Sequence, residues 1–465
     1  TRTVPVSPKR RIEMDKYDVI IIGGGPAGYR AAERLAALKK KVCIAEFSEA
    51  RIGGACLNEG CVPVKAMVES AHLLMKMRRS SEFGIESGEI KADMGAVRAA
   101  ASKKMDFLRT ALYSSLKKQG VDFVFGAASF VSANVIKIDS RQMEAEYFII
   151  ASGSESRKLR LQGFELTMNS FQLLEKGFSG NELLIVGGGY IGCEFASLYR
   201  AFGRDVTVLE ALPDLLAVED SDVTRALERE FKKQGIKLLK AASLKSVSSA
   251  EAGLSVRIEQ NGRSSEEKFD AVLSAVGRRP RTEELNLGSA GVNVLPSGAI
   301  AVDDSMRTNV PNIYAAGDVI DSPMLAHTAY REGVTAASAI AGLETEKINY
   351  PAVPRIVFSF PQVGALGITE KEASSRGIET ETRKSFFAAN AKAVITGETA
   401  GFLKIISSVS DGRILGAAAV GAQACEIIHL LSPAVSRSMT LKQAAEVMYG
   451  HPTLSEIVSE ALAKI

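Results

Sequence analysis

The sequence predicts an α/β protein in which one βαβ unit occurs twice and an α+β region follows. Three observations predict it. An apolar run meets a glycine cluster at Gly23, the same arrangement returns at Gly187, and from residue 346 short strands alternate with loops before closing helices.

Tyr17 to Ile22 is an apolar run of buried-strand type. It leads into Gly23-Gly24-Gly25-Pro26-Ala27-Gly28, after which Tyr29 to Lys40 reads as an Ala-rich helix. The next strand, Lys41 to Ala45, ends at an acid, Glu46. Glycines at 23, 25 and 28 permit a tight turn, close approach of a pyrophosphate and close helix–strand packing, and Glu46 can bond a ribose hydroxyl. The second unit repeats this order. Glu182 to Val186 leads into Gly187-Gly188-Gly189-Tyr190-Ile191-Gly192, then a helix from Cys193 to Phe202, and the strand Asp205 to Leu209 ends at Glu210. In both units the acid stands 23 positions after the first glycine. Two Rossmann-like dinucleotide sites are therefore expected.

Between them lies Gly53-Gly54-Ala55-Cys56-Leu57-Asn58-Glu59-Gly60-Cys61-Val62-Pro63-Val64-Lys65. If Cys61 opens a helix, Cys56 lies about one turn away on the same face, within reach of a strained, reversible disulphide. A thiolate at a helix N-terminus is stabilised by the dipole and by free N–H groups. Spacing alone leaves a second reading open, two buried cysteines that never meet. A zinc site is disfavoured, because with four His and three other Cys no second ligand pair forms, and no metal is expected. Two dinucleotide sites around a dithiol imply electron transfer between carriers, with the flavin in the first site and the nicotinamide in the second.

These residues resemble the FAD-dependent pyridine nucleotide–disulphide oxidoreductases, most closely their dihydrolipoamide dehydrogenase branch. The resemblance runs from about residue 16 to the C-terminus. Gly53 to Lys65 is similar to the family's redox-active segment, and Thr308 to Val319 (T-N-V-P-N-I-Y-A-A-G-D-V) to its second FAD motif. His451-Pro452-Thr453-Leu454-Ser455-Glu456 is similar to its catalytic His–Glu segment. The resemblance implies that Cys61 neighbours the flavin in a charge-transfer contact, that Cys56 is the interchange thiol, and that His451 is the base, with Glu456 fixing its tautomer. It implies that Lys65 lies near the flavin N5 edge with Glu194 as ion-pair partner, and that electrons pass from Cys61 to FAD and as hydride to NAD. FAD contacts are implied at Gly23, Gly25, Pro26, Ala27, Gly28, Glu46, Gly54, Lys65, Gly126, Ser152, Gly153, Gly317, Asp318 and Ala326. NAD contacts are implied at Gly187, Gly189, Tyr190, Ile191, Gly192, Glu210 and Gly277, with Tyr190 closing the nicotinamide pocket or simply packing at a helix start.

The domain layout follows from the motifs and the resemblance. A FAD domain takes up 15–150 and 281–345, an NAD domain 151–280 and a dimerisation domain 346–465, after a mobile tail at 1–14. The joins are Ala151-Ser152-Gly153-Ser154 and Ala275-Val276-Gly277-Arg278-Arg279-Pro280. Arg355 to Pro361, Gly401 to Ile406 and Ile414 to Val420 read as antiparallel strands of the last domain. Glu210 favours NAD over NADP, since a carboxylate repels a 2′-phosphate and residues 211–216 carry no Arg or Lys. That also counts against a glutathione reductase.

The resemblance implies a homodimer in which His451 serves the partner's site. Lipoyl-bearing proteins of 2-oxoacid dehydrogenase or glycine cleavage complexes are its expected partners. The alternatives are an NADH-dependent reductase of another low-molecular-weight disulphide, or a flavoprotein subunit acting mainly within a larger complex. Mercuric reductases and high-molecular-weight thioredoxin reductases need a C-terminal cysteine pair, and nothing after Cys425 is cysteine. Soluble transhydrogenases of this fold lack the dithiol. Three departures bear on the substrate: Val64 stands where a Ser is usual, Tyr449 precedes the His segment where a further His is common, and Gln362 replaces an acid. The 465 residues are 46% hydrophobic and 24% charged with net charge +3, which argues against nucleic acid or an anionic membrane as partner. No apolar run approaches the roughly 20 residues of a membrane span. Five sparse cysteines suggest a reducing, cytoplasmic setting, with Cys43, Cys193 and Cys425 as buried thiols. His327 is expected near the flavin, not as the base, and His72 and His429 have no motif.

Overall fold

The computed structural model describes residues 15–463, and the expected tail at 1–14 lies outside them. The chain forms two compact units, one of residues 15–57, 108–155 and 279–348, the other of 58–107, 156–278 and 349–463.

The first unit is built on the predicted βαβ pattern. Strand β1 (Asp15–Ile22) starts two residues earlier than the apolar run suggested, and helix α1 (Pro26–Ala37) starts three residues earlier than the Ala-rich stretch. The reason is Pro26. Its fixed φ and missing N–H suit the first helical position, so the helix grows directly out of the glycine turn. α1 buries Ala27, Gly28, Ala31, Ala32 and Leu35, a small-residue face that lies close to the sheet.

Strands β2 (Val42–Glu46), β3 (Asp122–Phe125), β4 (Ala128–Ser132), β5 (Val135–Ile138) and β6 (Arg141–Ile150) complete most of a seven-stranded sheet in the order β3-β2-β1-β6-β5-β4. Ile20 pairs in parallel with Cys43 on one side and Phe148 on the other. The last strand, Ile313–Ala315, joins β6 from far along the chain, placing Tyr314 opposite Ile149. β1 is buried on both faces of the sheet, which is why it reads as a continuous apolar run and not an alternating one. Ile20, Ile21, Ile44, Phe130, Phe148 and Tyr314 are the heart of the core, each of the aliphatic side chains contributing about 2–3 kcal/mol through burial. Helix Ala326–Ile340 packs along α1.

The second unit holds three sheets. Four parallel strands run in the order Lys237–Leu239, Asp205–Leu209, Glu182–Val186, Ala271–Ser274, flanked by helix Tyr190–Ala201. An antiparallel three-stranded sheet covers Ala242–Ser249, Leu254–Gln260 and Arg263–Phe269. The C-terminal sheet has five antiparallel strands in the order Arg355–Val357, Gln362–Gly367, Ile414–Gly421, Phe402–Ser408, Thr380–Phe386. Gln362–Gly367 and Thr380–Phe386 were not read from the sequence. The first, Q-V-G-A-L-G, is buried along nearly its whole length and shows no alternation, and the second, T-E-T-R-K-S-F, is polar with Ser385 as its buried residue. The expected strand at 355–361 stops at Val357, and the chain leaves the sheet through Phe358 to Pro361, the Phe360–Pro361 bond being cis. Helix Glu456–Leu462 packs on strands Thr380–Phe386 and Phe402–Ser408.

Candidate functional site

The two glycine turns are near-copies in space as well as in sequence. Gly23 and Gly187 both take φ of +108°, where a side chain is strained. A Cβ on Gly28 would come within 1.9 Å of Gly23 O, and one on Gly192 within 1.9 Å of Gly187 O, so each third glycine is what lets its helix sit on its strand. Neither helix has a side-chain cap, the capping position being Gly25 in one and Gly189 in the other. The first-turn N–H groups are thus left for an anion. The expected helix at 193–202 starts earlier, at Tyr190, directly after the glycine turn.

Each acid closes its own loop. Glu46 Oε2 accepts from Gly24 N at 2.7 Å and Oε1 from Phe47 N at 2.6 Å. Glu210 Oε2 accepts from Gly188 N at 2.6 Å and Oε1 from Leu212 N at 2.7 Å. Every oxygen keeps a lone pair for a ribose hydroxyl. Burial pushes the Glu46 carboxyl up, against the pull of its two N–H donors.

Apart from Lys65, which belongs to the second unit, the other residues expected at the flavin lie in the first unit. Gly54 opens helix α2 (Gly54–Asn58), where a Cβ would approach Gly25 Cα to 2.6 Å. Gly126 N donates to Glu46 O at 3.0 Å. Ser152 Oγ donates to Arg281 O at 2.7 Å, and Gly153 O accepts from Arg281 N at 2.9 Å. Asp318 accepts from Ser154 Oγ at 2.5 Å, and Gly317 N donates to the fully buried Glu332 at 2.7 Å. Ala326 begins its helix, and two residues on, Thr328 Oγ1 is buried without a hydrogen-bond partner among the described residues. An uncapped helix start, a glycine cradle and an orphaned buried hydroxyl fit a dinucleotide with a polar chain and ring. Ser154, Glu332 and Thr328 were missed as site residues. Ser154 and Thr328 had a sequence signal, their places in the Ala151–Ser154 crossing and the Leu325–Ala329 segment; Glu332 had none. His327 lines a cavity of about 480 Å³ with Arg30, Tyr330 and Arg331.

The expected cysteine geometry is corrected in one respect. Cys56 sits half-buried in α2, whereas Cys61 is exposed and opens a separate helix, α3 (Cys61–Arg78). Gly60, with φ −140° and ψ −98°, caps α3 and ends any continuous helix between the two. Neither thiol is buried in the core, unlike Cys43, Cys193 and Cys425.

One turn into α3, Lys65 Nζ donates to both oxygens of Glu194, at 2.8 and 2.9 Å. Glu194 is held in place by Phe358 N at 3.0 Å, and the Lys65 ammonium lies 4.9 Å from the Phe358 ring centre. Burial works against that ammonium, but the Glu194 carboxylate and the Cys61 thiolate outweigh it and hold its pKa above the ordinary lysine value. The same coupling favours the Cys61 thiolate. Tyr190 donates to Glu219, which Arg355 clamps through two bonds at 2.9 and 3.0 Å. Burial and the Glu219 charge raise the Tyr190 pKa, so the phenol stays protonated. Ile191 follows in the same turn, and Gly277 O accepts from Arg157 N at 3.0 Å.

At the C-terminus, His451 Nδ1 and Glu456 Oε1 lie 2.9 Å apart, and Thr453 N donates to Glu456 Oε2 at 2.8 Å. The His451 side chain is 73% exposed. The N–H of Thr453, and then His451, hold the Glu456 carboxyl below the ordinary glutamate value, so it faces the imidazole as an anion. No helix among the described residues is long and apolar enough to cross a membrane.

Two glycine-turn dinucleotide sites, a cysteine beside a half-buried ammonium and a carboxylate-held imidazole define a nucleotide-linked thiol–disulphide oxidoreductase. The chain belongs to the pyridine nucleotide–disulphide oxidoreductases: residues 17–333 match that family's model, and 353–462 match its dimerisation domain. It is 36% identical over 451 residues to the dihydrolipoyl dehydrogenase of Geobacillus stearothermophilus, covering 96% of this chain and 95% of that one. It is 37% identical over 452 residues to a Bacillus subtilis dihydrolipoyl dehydrogenase, with the same coverage. Among solved structures it is similar to the HOCl-induced flavoprotein disulfide reductase RclA from Escherichia coli, with a TM-score of 0.87 and 27% identity over 97% of this chain and all of the other. The protein is an FAD-dependent, NAD-linked disulphide oxidoreductase, and its C-terminal domain is the family's dimerisation domain.

Proposed function

We propose that this protein oxidises dihydrolipoamide carried on a protein to lipoamide, with NAD⁺ as final acceptor. The observation that carries the reading is the His451–Glu456 pair. Glu456 binds Nδ1 and so leaves Nε2 as the position that takes a thiol proton. The resulting dihydrolipoyl thiolate attacks Cys56 and breaks the Cys56–Cys61 disulphide, with Cys61 leaving as a thiolate. The second dihydrolipoyl thiol, deprotonated in turn, attacks the mixed disulphide, so lipoamide leaves and Cys56 departs with the bonding pair. Lys65 stabilises the Cys61 thiolate electrostatically, and Glu194 keeps that ammonium in place. FAD, held by Gly23, Gly25, Gly28, Glu46 and Asp318, supplies the two-electron relay to the nicotinamide. Tyr190 stands at the start of the helix that would receive the NAD pyrophosphate.

The working unit is a homodimer, each subunit lending His451 to the other. Residues 15–150 and 281–345 serve FAD, 151–280 serve NAD and 346–465 the dimer. Lipoyl-bearing proteins of 2-oxoacid dehydrogenase or glycine cleavage complexes, in the cytoplasm, are its partners. A second reading, NADH-dependent reduction of another small disulphide, is favoured by the likeness to the E. coli reductase and by Gln362, which here accepts from Cys425 N at 3.2 Å.

The test mixes FAD-loaded protein anaerobically with dihydrolipoamide and NAD⁺ and follows NADH absorbance. Stoichiometric NADH that vanishes in Cys56→Ser supports the first reading. No NADH, but NADH consumption with a different low-molecular-weight disulphide, moves the assignment to the second.

A further inference from the structure

Residues 211–216, which follow Glu210, carry no Arg or Lys. The second unit brings one in from elsewhere. Strand Lys237–Leu239 pairs in parallel with Asp205–Leu209, Leu239 opposite Leu209, so Lys240 and Glu210 are the next residues on neighbouring strands. Glu210 N donates to Leu239 O at 2.8 Å, Ala242 N to Glu210 O at 3.0 Å and Ala241 N to Leu212 O at 3.0 Å, which binds the two loops together.

Lys240 is nevertheless committed. Its ammonium donates to Glu228 at 2.9 and 2.7 Å and to Asp214 at 3.2 Å. Asp214 comes from the 211–216 segment itself and Glu228 from helix Ser221–Lys233. Glu228 also accepts from Leu215 N at 3.1 Å, and its side chain is only 9% exposed. One ammonium therefore faces two carboxylates, at the end of a strand that runs beside the one leading to Glu210.

We propose that Asp214 and Glu228 are specificity-determining residues of the nicotinamide dinucleotide site. They neutralise Lys240 and fix it on helix Ser221–Lys233. A dinucleotide carrying a 2′-phosphate then meets the Glu210 carboxylate while the Lys240 charge is held by Asp214 and Glu228, and the 2′-hydroxyl of NAD is accepted. A basic residue beside the acid-bearing strand does not by itself confer a taste for NADP when its charge is already committed to neighbouring carboxylates. This rests on the second glycine turn being the NAD site.

The test measures NAD⁺ and NADP⁺ binding to the FAD-loaded protein by isothermal titration calorimetry. Wild type, Asp214→Asn, Asp214→Asn with Glu228→Gln, and each of these variants with Lys240→Met are compared. Gln keeps the Oε1 acceptor for Leu215 N. In the double variant NADP⁺ should tighten about tenfold, NAD⁺ should change less than about twofold, and Lys240→Met should erase the gain. Asp214→Asn alone should give a smaller, equally Lys240-dependent gain, and it decides the matter if the double variant does not fold, since Asp214 is half-exposed. Unchanged NADP⁺ affinity in folded variants that still bind NAD⁺ overturns this proposal alone, as does a gain that survives Lys240→Met. A wild-type protein that binds neither dinucleotide overturns the assignment of the second turn and this proposal with it.

Discussion

At the scale of single residues, the site depends on two charge arrangements of opposite exposure. His451 is exposed and its carboxylate partner is held by a backbone N–H, so removing the ring should cost chemistry and little stability. His451→Ala is expected to lower dihydrolipoamide oxidation by roughly a hundred- to ten-thousandfold while leaving NAD⁺ affinity and melting temperature nearly unchanged. Steady-state rates beside a thermal melt check this. Lys65 and Glu194 are the reverse case. Glu194 is buried, so Lys65→Met strands a carboxylate and should destabilise the protein by about 3 kcal/mol. The same change should raise the Cys61 thiol pKa. The pH midpoint of iodoacetamide alkylation at Cys61 would move upward, and an unmoved midpoint would refute the coupling. The separation of these two partners in the chain, 129 positions, shows why spacing could not pair them; only the family resemblance did.

At the scale of elements, the βαβ units were legible because their rules are local. The glycine spacing, the apolar strand and the terminal acid all act within about two dozen residues, and element ends shifted by no more than three residues, the helix starts moving to Pro26 and Tyr190. The C-terminal sheet was less legible. Strand Thr380–Phe386 is polar and buries Ser385, so it shows no apolar alternation, and strand Phe402–Ser408 hides a lysine. Lys404 is fully buried and donates to both oxygens of Asp220 at 2.9 Å, to Asp222 at 2.9 Å and to Glu370. It ties the start of helix Ser221–Lys233 to the five-stranded sheet. Burial pushes the Asp222 carboxyl up, but bonds from Lys384, Lys404 and Arg225 outweigh it and hold it well below the usual aspartate range. A carboxyl depressed in the folded state contributes stability above its unfolded value of about 3.9, and that stability is lost as pH falls towards the folded value. Urea unfolding should therefore show stability dropping below about pH 4. Lys404→Met should lose about 3–5 kcal/mol at neutral pH, because the buried Asp220 carboxylate loses its cation. The acid-side drop should flatten in that variant, and a variant as stable as wild type at neutral pH would refute this account.

At the scale of the whole molecule, the proposed active site needs two chains. A Cys56→Ser homodimer and a His451→Ala homodimer should both be nearly inactive. A purified heterodimer of the two should regain about half the wild-type rate per dimer, because one site then has both cysteines and a partner His451. Activity no higher than in the parents would place His451 in its own subunit's site. By itself the sequence determined the two dinucleotide-binding folds, the acids that close them and the cysteine segment, since each follows from backbone sterics and periodicity over a short stretch. Tertiary structure decided what those groups face. It seated Cys61 on its own helix, gave Tyr190 to Glu219 and Arg355, and returned strand Ile313–Ala315 to the first sheet. It also brought Lys240 beside Glu210 and then cancelled its charge. Charge pairing and burial are set by distance in space, and one chain read in order does not contain that distance.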